Sequence, residues 1–219
     1  MRISGFLLVW FGLGLSGAET VDFDFAKTGE IPPGWSPALT HKGAAPRWVV
    51  HPDVTAPSRP NVLAQVSTNP AKYRFPLLIF DKVTFKNADL SVKMKLVSGK
   101  DEQTAGLMWR YQDPNNYYFV RANAQDDNIV MFKLENGKAT PIAPVGTKPD
   151  TYGVRHMIEK GEWNILKVVI RDDRFTVYFD HRKVFEGRDG TFQQPGKAGL
   201  WTKADTIAYF DDFRLDRKN

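Results

Sequence analysis

Apolar and polar residues alternate along much of the chain, most clearly in residues 88–97 (ADLSVKMKLV). Apolar side chains occupy every second position there, with charged or small polar residues between them. Because successive side chains of a strand point to opposite faces of a sheet, this pattern predicts a half-buried β-strand. Alternating or short apolar segments of the same kind predict further strands at 21–25, 47–50, 62–66, 105–111, 117–124, 128–134, 163–171, 174–180, 183–186, 198–202 and 206–215.

Turn-forming residues separate the predicted strands. Asn136-Gly137 is a strong signal for a two-residue hairpin, and a second hairpin is expected between Asp180 and Lys183. Residues 28–37 (TGEIPPGWSP) are so rich in proline and glycine that a rigid turn is expected instead of a strand or helix. Helical periodicity is scarce, and only residues 189–194 look able to form a single helical turn.

Strands without intervening helices indicate antiparallel pairing, because parallel strands need long crossover connections that are usually helical. The predicted strands are too numerous for the seven to nine of an immunoglobulin sandwich and fit a jelly roll better. The sequence shows no internal repeat or linker. We therefore predict a single all-β domain with the fold of an antiparallel jelly-roll β-sandwich.

The first residues have the layout of a secretory signal peptide. Arg2 precedes the apolar run from Phe6 to Leu15, and small residues at Ser16 and Ala18 suit cleavage after Ala18. The apolar run is about half of the ~20 residues needed to span a bilayer. We expect residues 1–18 to be removed and residues 19–219 to form the exported domain, periplasmic or secreted, without a membrane span.

Composition limits the chemistry that this chain can perform. Apolar residues make up 42% of it and cysteine is absent, which fits a globular domain and excludes disulfides, thiolate metal sites and cysteine nucleophiles. The net charge of +5 is a mild excess, and the basic residues are interleaved with acidic ones. Nucleic acid is therefore not an expected partner.

Several motifs resemble a family of exported bacterial domains. They are the run AGLMWRYQDPNNYYFVRAN at 105–123, GEWNILKVVI around Trp163, the segment RFTVYFDHRKVFEGRD, the closing segment GKAGLWTKADTIAYFDDFRL, the opening DFDFAKTGEIPPGW and the PLLIF segment near Leu77. These domains are similar to laminin-G-like, concanavalin A-like jelly rolls. They are often labelled family-16-like glycoside hydrolase or 3-keto-disaccharide hydrolase domains. The resemblance implies the same fold and, as one alternative, a hydrolase of glycosides or 3-keto-glycosides.

Glycosidases of the family-16 type place two carboxylates on one face of one strand. The acidic pairs of this chain are instead adjacent residues, such as Asp101-Glu102 and Asp172-Asp173, whose side chains on a strand would point to opposite faces. The four histidines are too scattered for a zinc site. We therefore assign no catalytic residue and expect no required cofactor.

Alternation also predicts a ligand-binding face. It assigns to the core Leu107, Trp109, Tyr111, Tyr118, Val120, Ala122, Val130, Phe132 and Leu134. The opposite face, concave in jelly rolls of this type, then carries Arg110, Arg121, Asn123 and Lys133 among Met108, Phe119 and Met131. Trp201 and Lys203 are expected to extend this face.

Apolar groups can take the C–H face of a sugar, while cationic and amide groups bind its hydroxyls or carboxylates. The sequence thus predicts a lectin-like domain for a glycan, with the cations favouring an acidic one. A solvated sheet face in a structural or protein-interaction domain is the other alternative.

A structural calcium is a further expectation, because related jelly rolls often bind one where the first and last strands meet. Asp24, near Asp22 in the first strand, and Asp212, next to Asp211 in the last, are its candidate ligands.

Overall fold

The computed structural model describes residues 17–218, and every regular element in this range is a β-strand. The strands are β1 Ala18–Val21, β2 Trp35–Thr40, β3 Trp48–Pro52, β4 Asn61–Gln65, β5 Phe75–Phe85, β6 Asn87–Ser98, β7 Thr104–Asp113, β8 Asn116–Asn123, β9 Asn128–Glu135, β10 Lys138–Ile142, β11 Val154–Arg155, β12 Trp163–Arg171, β13 Arg174–Phe179, β14 Arg182–Arg188, β15 Gly196–Thr202 and β16 Ile207–Lys218. Within this range no helix is long and apolar enough to cross a membrane.

The strands form two antiparallel sheets. The first has the order β14-β13-β12-β6-β16-β4-β3, with β1 also paired to β16. The second has the order β10-β9-β8-β7-β15-β5-β2, with β11 also paired to β9. The predicted antiparallel β-sandwich is confirmed. The predicted signal peptide lies almost wholly outside the described residues, and β1 begins at Ala18, the residue before the expected cleavage.

The main core lies between the two sheets and is rich in aromatic rings. Trp35 packs against Phe80 and Phe213, with ring centroids 4.9 Å apart in both pairs. Trp109 packs against Phe175 in the same layer, with the centroids 5.2 Å apart. Rings in tilted contact fill the space between the sheets and contribute stability beyond their buried area.

The N-terminal part differs from the sequence prediction. Residues 22–25 are not a strand, because β1 ends at Val21 and Phe23 has φ of 66°. The expected rigid turn at 28–37 ends early, since β2 starts at Trp35 and includes Pro37. Proline is tolerated there because β2 is an edge strand with one neighbour. Residues 189–194 form a bend rather than a helical turn, with the Asp189 carboxylate accepting the Thr191 N–H at 2.9 Å.

The second sheet curls so far that its opposite edges meet. His41 follows β2 at one edge, and its Nε2 lies 2.7 Å from the carbonyl of Gly137, in the hairpin that leads to β10 at the other edge. The Thr40 hydroxyl donates to the carbonyl of Pro114, between β7 and β8, at 2.6 Å. The sheet is therefore a trough that is closed at this end. The Asn136-Gly137 hairpin was predicted and is confirmed, with φ of 50° and 77°.

Asp211 is a fully buried carboxylate in β16. Burial raises its pKa to about 6, although it accepts hydrogen bonds from the Ser58 N–H at 2.8 Å and the Ser58 hydroxyl at 2.9 Å. Its folded pKa thus exceeds the ordinary value of 3.8, so the native state binds the proton more tightly than the unfolded chain. The resulting stabilisation is present below pH ~4 and lost as pH rises through about 6.

We expect Asp211→Asn to remove this pH dependence. The unfolding free energy of the variant minus that of the native chain should increase by about 2 kcal/mol between pH 4 and pH 7. Denaturant unfolding across this pH range measures this difference. Carboxylates with lowered pKa, such as Asp205, affect both proteins equally, so their contributions to the pH dependence cancel in the difference. Parallel pH curves for the two proteins would show that Asp211 ionises normally in the fold.

Candidate functional site

The inside of the trough is a second apolar cluster. Trp201 stacks on Phe119 with centroids 4.6 Å apart and an interplanar angle of 16°, and Phe119 stacks on Phe132 at 4.8 Å and 10°. All the residues of this cluster are buried: Phe75, Leu77, Ile79, Met108, Tyr117, Phe119, Val130, Phe132, Leu134 and Trp201. Met108, Phe119 and Trp201 do lie on the face predicted for them. Their exposed fractions are at most 2%, so they pack against one another and present little surface.

The predicted faces of β9 are wrong. Met131 was expected on the ligand face but packs in the core between the sheets, while Val130 and Phe132 point into the trough. Lys133 lies on the same side of the sheet as Met131, toward the first sheet. Its Nζ donates to the Thr191 hydroxyl at 2.8 Å and lies 3.6 Å from the carboxylate of Asp189. The error arose because both faces of this strand are apolar, so alternation alone could not choose between them.

Arg110 also lies on the other side of its sheet from the one predicted. A bulge follows Trp109, and Arg110 adopts φ of 49°, which turns its side chain toward the end of the sandwich. Its guanidinium donates to the carbonyls of Phe192, of Lys86 at 3.1 Å and of Asp172 at 2.5 Å. Burial lowers its pKa. Arg110 therefore joins three segments of backbone.

Arg121 lies on the predicted face, at the end of the trough opposite to His41. It is 6% exposed and donates to Asn128 Oδ1 at 2.8 Å and to the Tyr152 hydroxyl at 3.0 Å. Its guanidinium also lies 5.6 Å from the centroid of the Phe132 ring. No carboxylate of residues 17–218 pairs with it. Arg110 and Arg121 thus occupy opposite sides of the sheet and do not share the predicted ligand face.

The remaining predicted ligand residues make contacts within the fold. Asn123 closes the turn between β8 and β9, since its Oδ1 accepts the Gln125 N–H at 2.8 Å and its Nδ2 donates to Asp126 at 2.8 Å. Lys203 pairs with the carboxylate of Glu102. These polar groups are mostly satisfied by neighbours and do not converge on open surface.

The two candidate calcium ligands also have protein partners. Asp24 accepts the N–H of Asn61 at 3.2 Å, and Asp212 lies 2.6 Å from the Nζ of Lys93. No group of three acidic or histidine side chains in residues 17–218 is arranged to hold a metal ion. The calcium site stays a prediction from the sequence.

An open cleft of about 780 Å³ lies at the closed end of the trough. It was not identified from the sequence. The residues around it come from both edges of the curled sheet: His41 and Lys42 after β2, Ala71, Lys72 and Tyr73 before β5, Phe75, and Gly137, Lys138 and Ala139 of the β9–β10 hairpin. Its volume falls within the usual range of small-molecule sites, about 300–1,000 Å³.

The cleft combines an exposed ring with several cations. Tyr73 is 65% exposed, while Phe75 beside it is buried and connects the cleft to the stacked rings of the trough. His41 spans the cleft, with Nδ1 2.6 Å from the Tyr73 carbonyl and Nε2 2.7 Å from that of Gly137. His41 therefore holds the two edges together.

Two antiparallel sheets packed face to face, one of them curled into a trough, define this chain as a β-sandwich domain. The chain belongs to the family described as the 3-keto-alpha-glucoside-1,2-lyase-like domain, whose model matches residues 23–216.

Individual similarities extend to carbohydrate-related proteins. Levanase of Bacillus subtilis (strain 168) is 32% identical over 114 residues, which are 52% of this chain and 15% of levanase. The chain thus spans only a small part of that relative. Among solved structures, the carbohydrate-binding module CBM66 from Bacillus subtilis superposes with a TM-score of 0.64, at 20% identity, covering 87% of this chain and 98% of the module. Domain 4 of the arabinanase AbnA from Geobacillus stearothermophilus, in complex with arabinotriose, has a TM-score of 0.53, at 13% identity, covering 91% and 93%.

Proposed function

We propose that this chain is an exported carbohydrate-binding domain that holds a glycan in the cleft around Tyr73. The observation that carries the proposal is an open cleft with a largely exposed aromatic ring and amine donors around it. The similarity in fold to CBM66 and the sequence similarity to levanase support a role in carbohydrate recognition. The apolar run at the N-terminus supports export.

The residues around the cleft suit the chemistry of a sugar. A pyranose or furanose ring has an apolar C–H face that packs on an aromatic ring, and hydroxyls around its edge that accept and donate hydrogen bonds. Tyr73 offers both a ring face and a hydroxyl, and the ammonium groups of Lys42, Lys72 and Lys138 offer donors. The inside of the trough offers no comparable surface, because its rings are buried.

Binding would be found by screening a glycan array and then measured by calorimetry, with levan and arabinotriose among the first probes. Tyr73→Ala is expected to weaken the affinity about 10-fold, because it removes an exposed stacking surface. The unfolding free energy should change by less than about 0.5 kcal/mol, since little buried contact is lost.

Phe25→Ala is the matched control. Phe25 is also an exposed aromatic residue, 99% exposed, and it follows β1 of the other sheet. Its removal should leave the affinity unchanged. If Tyr152→Ala or Arg121→Ala weakens binding and Tyr73→Ala does not, the glycan lies instead at the far end of the trough. A blank array would favour a structural or protein-interaction domain.

The family description favours a second function, an enzyme that cleaves 3-keto-glycosides. Such chemistry requires a free base, and both ring nitrogens of His41 in the cleft already contact carbonyl oxygens. Incubating the domain with 3-keto-glycosides, with and without divalent metal, and following release of the sugar tests this function. Turnover that depends on the protein would establish an enzyme in place of a binding domain.

A further inference from the structure

The lysines around the cleft lack the carboxylate partners that most other lysines of residues 17–218 have. Ion pairing is common on this surface: Lys93, Lys167 and Lys197 each lie within 3.0 Å of a carboxylate oxygen. Lys42, Lys72 and Lys138 have no carboxylate within 4.0 Å in the described part of the chain, although Lys72 lies 5.9 Å from the centroid of the Tyr73 ring. Three exposed cations thus surround one cleft with no protein anion to balance them.

The acidic strand partner of Lys138 is already paired with another lysine. Glu135 lies opposite Lys138 in the β9–β10 hairpin, but its carboxylate lies 3.3 Å from the Nζ of Lys133. Among the residues that the structure describes, no aspartate or glutamate lines the cleft. Like charges that converge without a counter-ion repel one another, and an anion placed among them relieves that repulsion.

We infer that the cleft selects an anionic glycan, one whose sugars carry carboxylates, such as a chain of uronic acids. This inference rests on the proposed function and specifies its ligand class. The sugar's C–H face lies on the Tyr73 ring, and its carboxylates lie among the three ammonium groups, which act as point charges. The ammonium group of lysine can bind a carboxylate from a range of directions, whereas the planar guanidinium of arginine favours one bidentate geometry. A glycan with a carboxylate on each successive sugar could therefore contact lysines that come from three separate segments of the protein.

The test compares an oligogalacturonide with the neutral galactose oligomer of equal length, by calorimetry at about 20 mM and about 200 mM salt. The native chain should bind the acidic oligomer more tightly, and this preference should shrink at the higher salt concentration. The combined Lys42→Gln, Lys72→Gln, Lys138→Gln variant should bind the acidic oligomer at least about 10-fold more weakly at low salt, since each exposed ion pair contributes modestly. Its affinity for the neutral oligomer should change little.

The matched control carries the same change in net charge. Lys100, Lys148 and Lys160 are also exposed and without a carboxylate within 4.0 Å among residues 17–218, but they lie outside the cleft. Their combined replacement by glutamine should lower the affinity much less than the change at the cleft does, since these ammonium groups would make no contact with a glycan in the cleft. An equal loss in both triple variants would show that net charge, and not the cleft, attracts the acidic oligomer.

The remaining outcomes separate this inference from the proposed function. Binding of the neutral oligomer as tightly as the acidic one would keep the proposed function and overturn the inference. Binding of neither oligomer, with a blank glycan array, would overturn both. Equally tight binding of dextran sulfate or of single-stranded DNA would show that the cleft attracts any polyanion, and the assignment to carboxylated glycans would be wrong.

Discussion

Trp201→Ala is expected to lower the unfolding free energy by about 3–5 kcal/mol, the usual cost of truncating a buried large aromatic residue. Trp201 is 1% exposed and contacts both Phe75 and Phe119, with centroids 5.0 Å and 4.6 Å away. Removing it leaves a cavity in the middle of the stacked rings. Because β15 lies between β5 and β7, the loss also weakens the sheet where it curls. Denaturant unfolding followed by circular dichroism measures the change.

Trp163→Ala is the matched control, because Trp163 is only partly buried and lies on the outer face of the first sheet, beside Lys95. Its replacement should cost clearly less. The sequence alone suggested that Trp201 could stack on a glycan instead. A Trp201→Ala protein of unchanged stability that no longer binds glycan would support that hypothesis and refute the packing role. The packing role of Trp201 would be confirmed if the variant loses stability while its folded fraction still binds glycan in a way that depends on Tyr73.

The strand pattern could be predicted well from the sequence because one face of most strands is apolar and the other polar. Residues 88–97 correspond to β6, in which Leu90 and Val92 point to the core while Asp89 and Lys93 make ion pairs outside. The prediction failed where both faces are buried. In β9 the sequence NIVMFKLE is apolar at both odd and even positions, and only the pairing of Phe119 with Phe132 determines which side faces the trough.

The cleft could not be predicted from the sequence for a different reason. Its residues belong to three segments far apart along the chain, and each segment alone is an ordinary polar turn with a lysine. They meet because the second sheet curls until His41 reaches the carbonyl of Gly137. Curvature of this kind depends on the twist of seven paired strands and leaves no local signal. The one sequence feature that could have pointed to the cleft is the exposed tyrosine in the NPAKYRF segment.

At Arg110, a single backbone irregularity makes the assignment of faces from alternating side chains wrong. The bulge after Trp109 and the positive φ of Arg110 interrupt the alternation of side chains, so a residue expected in the trough faces the sandwich. There its guanidinium contacts the backbone of three separate connections: Lys86 between β5 and β6, Asp172 between β12 and β13, and Phe192 between β14 and β15. The β12–β13 connection belongs to the first sheet, while Arg110 belongs to the second. One side chain therefore fastens the two sheets together at this end.

We accordingly expect Arg110→Met to lower the unfolding free energy by about 3 kcal/mol, since three carbonyls lose a charged donor while the apolar stem is conserved. An adjoining cavity of about 310 Å³ is lined by Asp173 and Gln193 among others, and water in it can donate to some of the freed carbonyls and so reduce the loss of stability. Arg171→Met is the control, because Arg171 pairs with Asp89 at 2.7 Å and donates to the carbonyls of Ala88 and Ile170 but keeps 42% of its side chain exposed. That change should cost less than about 1 kcal/mol.

Thermal and denaturant unfolding of the two variants decide the role of Arg110, and glycan titration adds a second readout. The structure assigns Arg110 to the fold, so the folded fraction of Arg110→Met should bind glycan with the affinity of the native chain. If the variant keeps its stability and loses glycan binding, then Arg110 contacts the ligand, as its position in the alternating pattern of residues 105–111 had indicated, and the bulge does not hold in solution. Equal stability losses for Arg110→Met and Arg171→Met would instead show that the three buried carbonyl contacts of Arg110 contribute no more than the partly exposed contacts of Arg171.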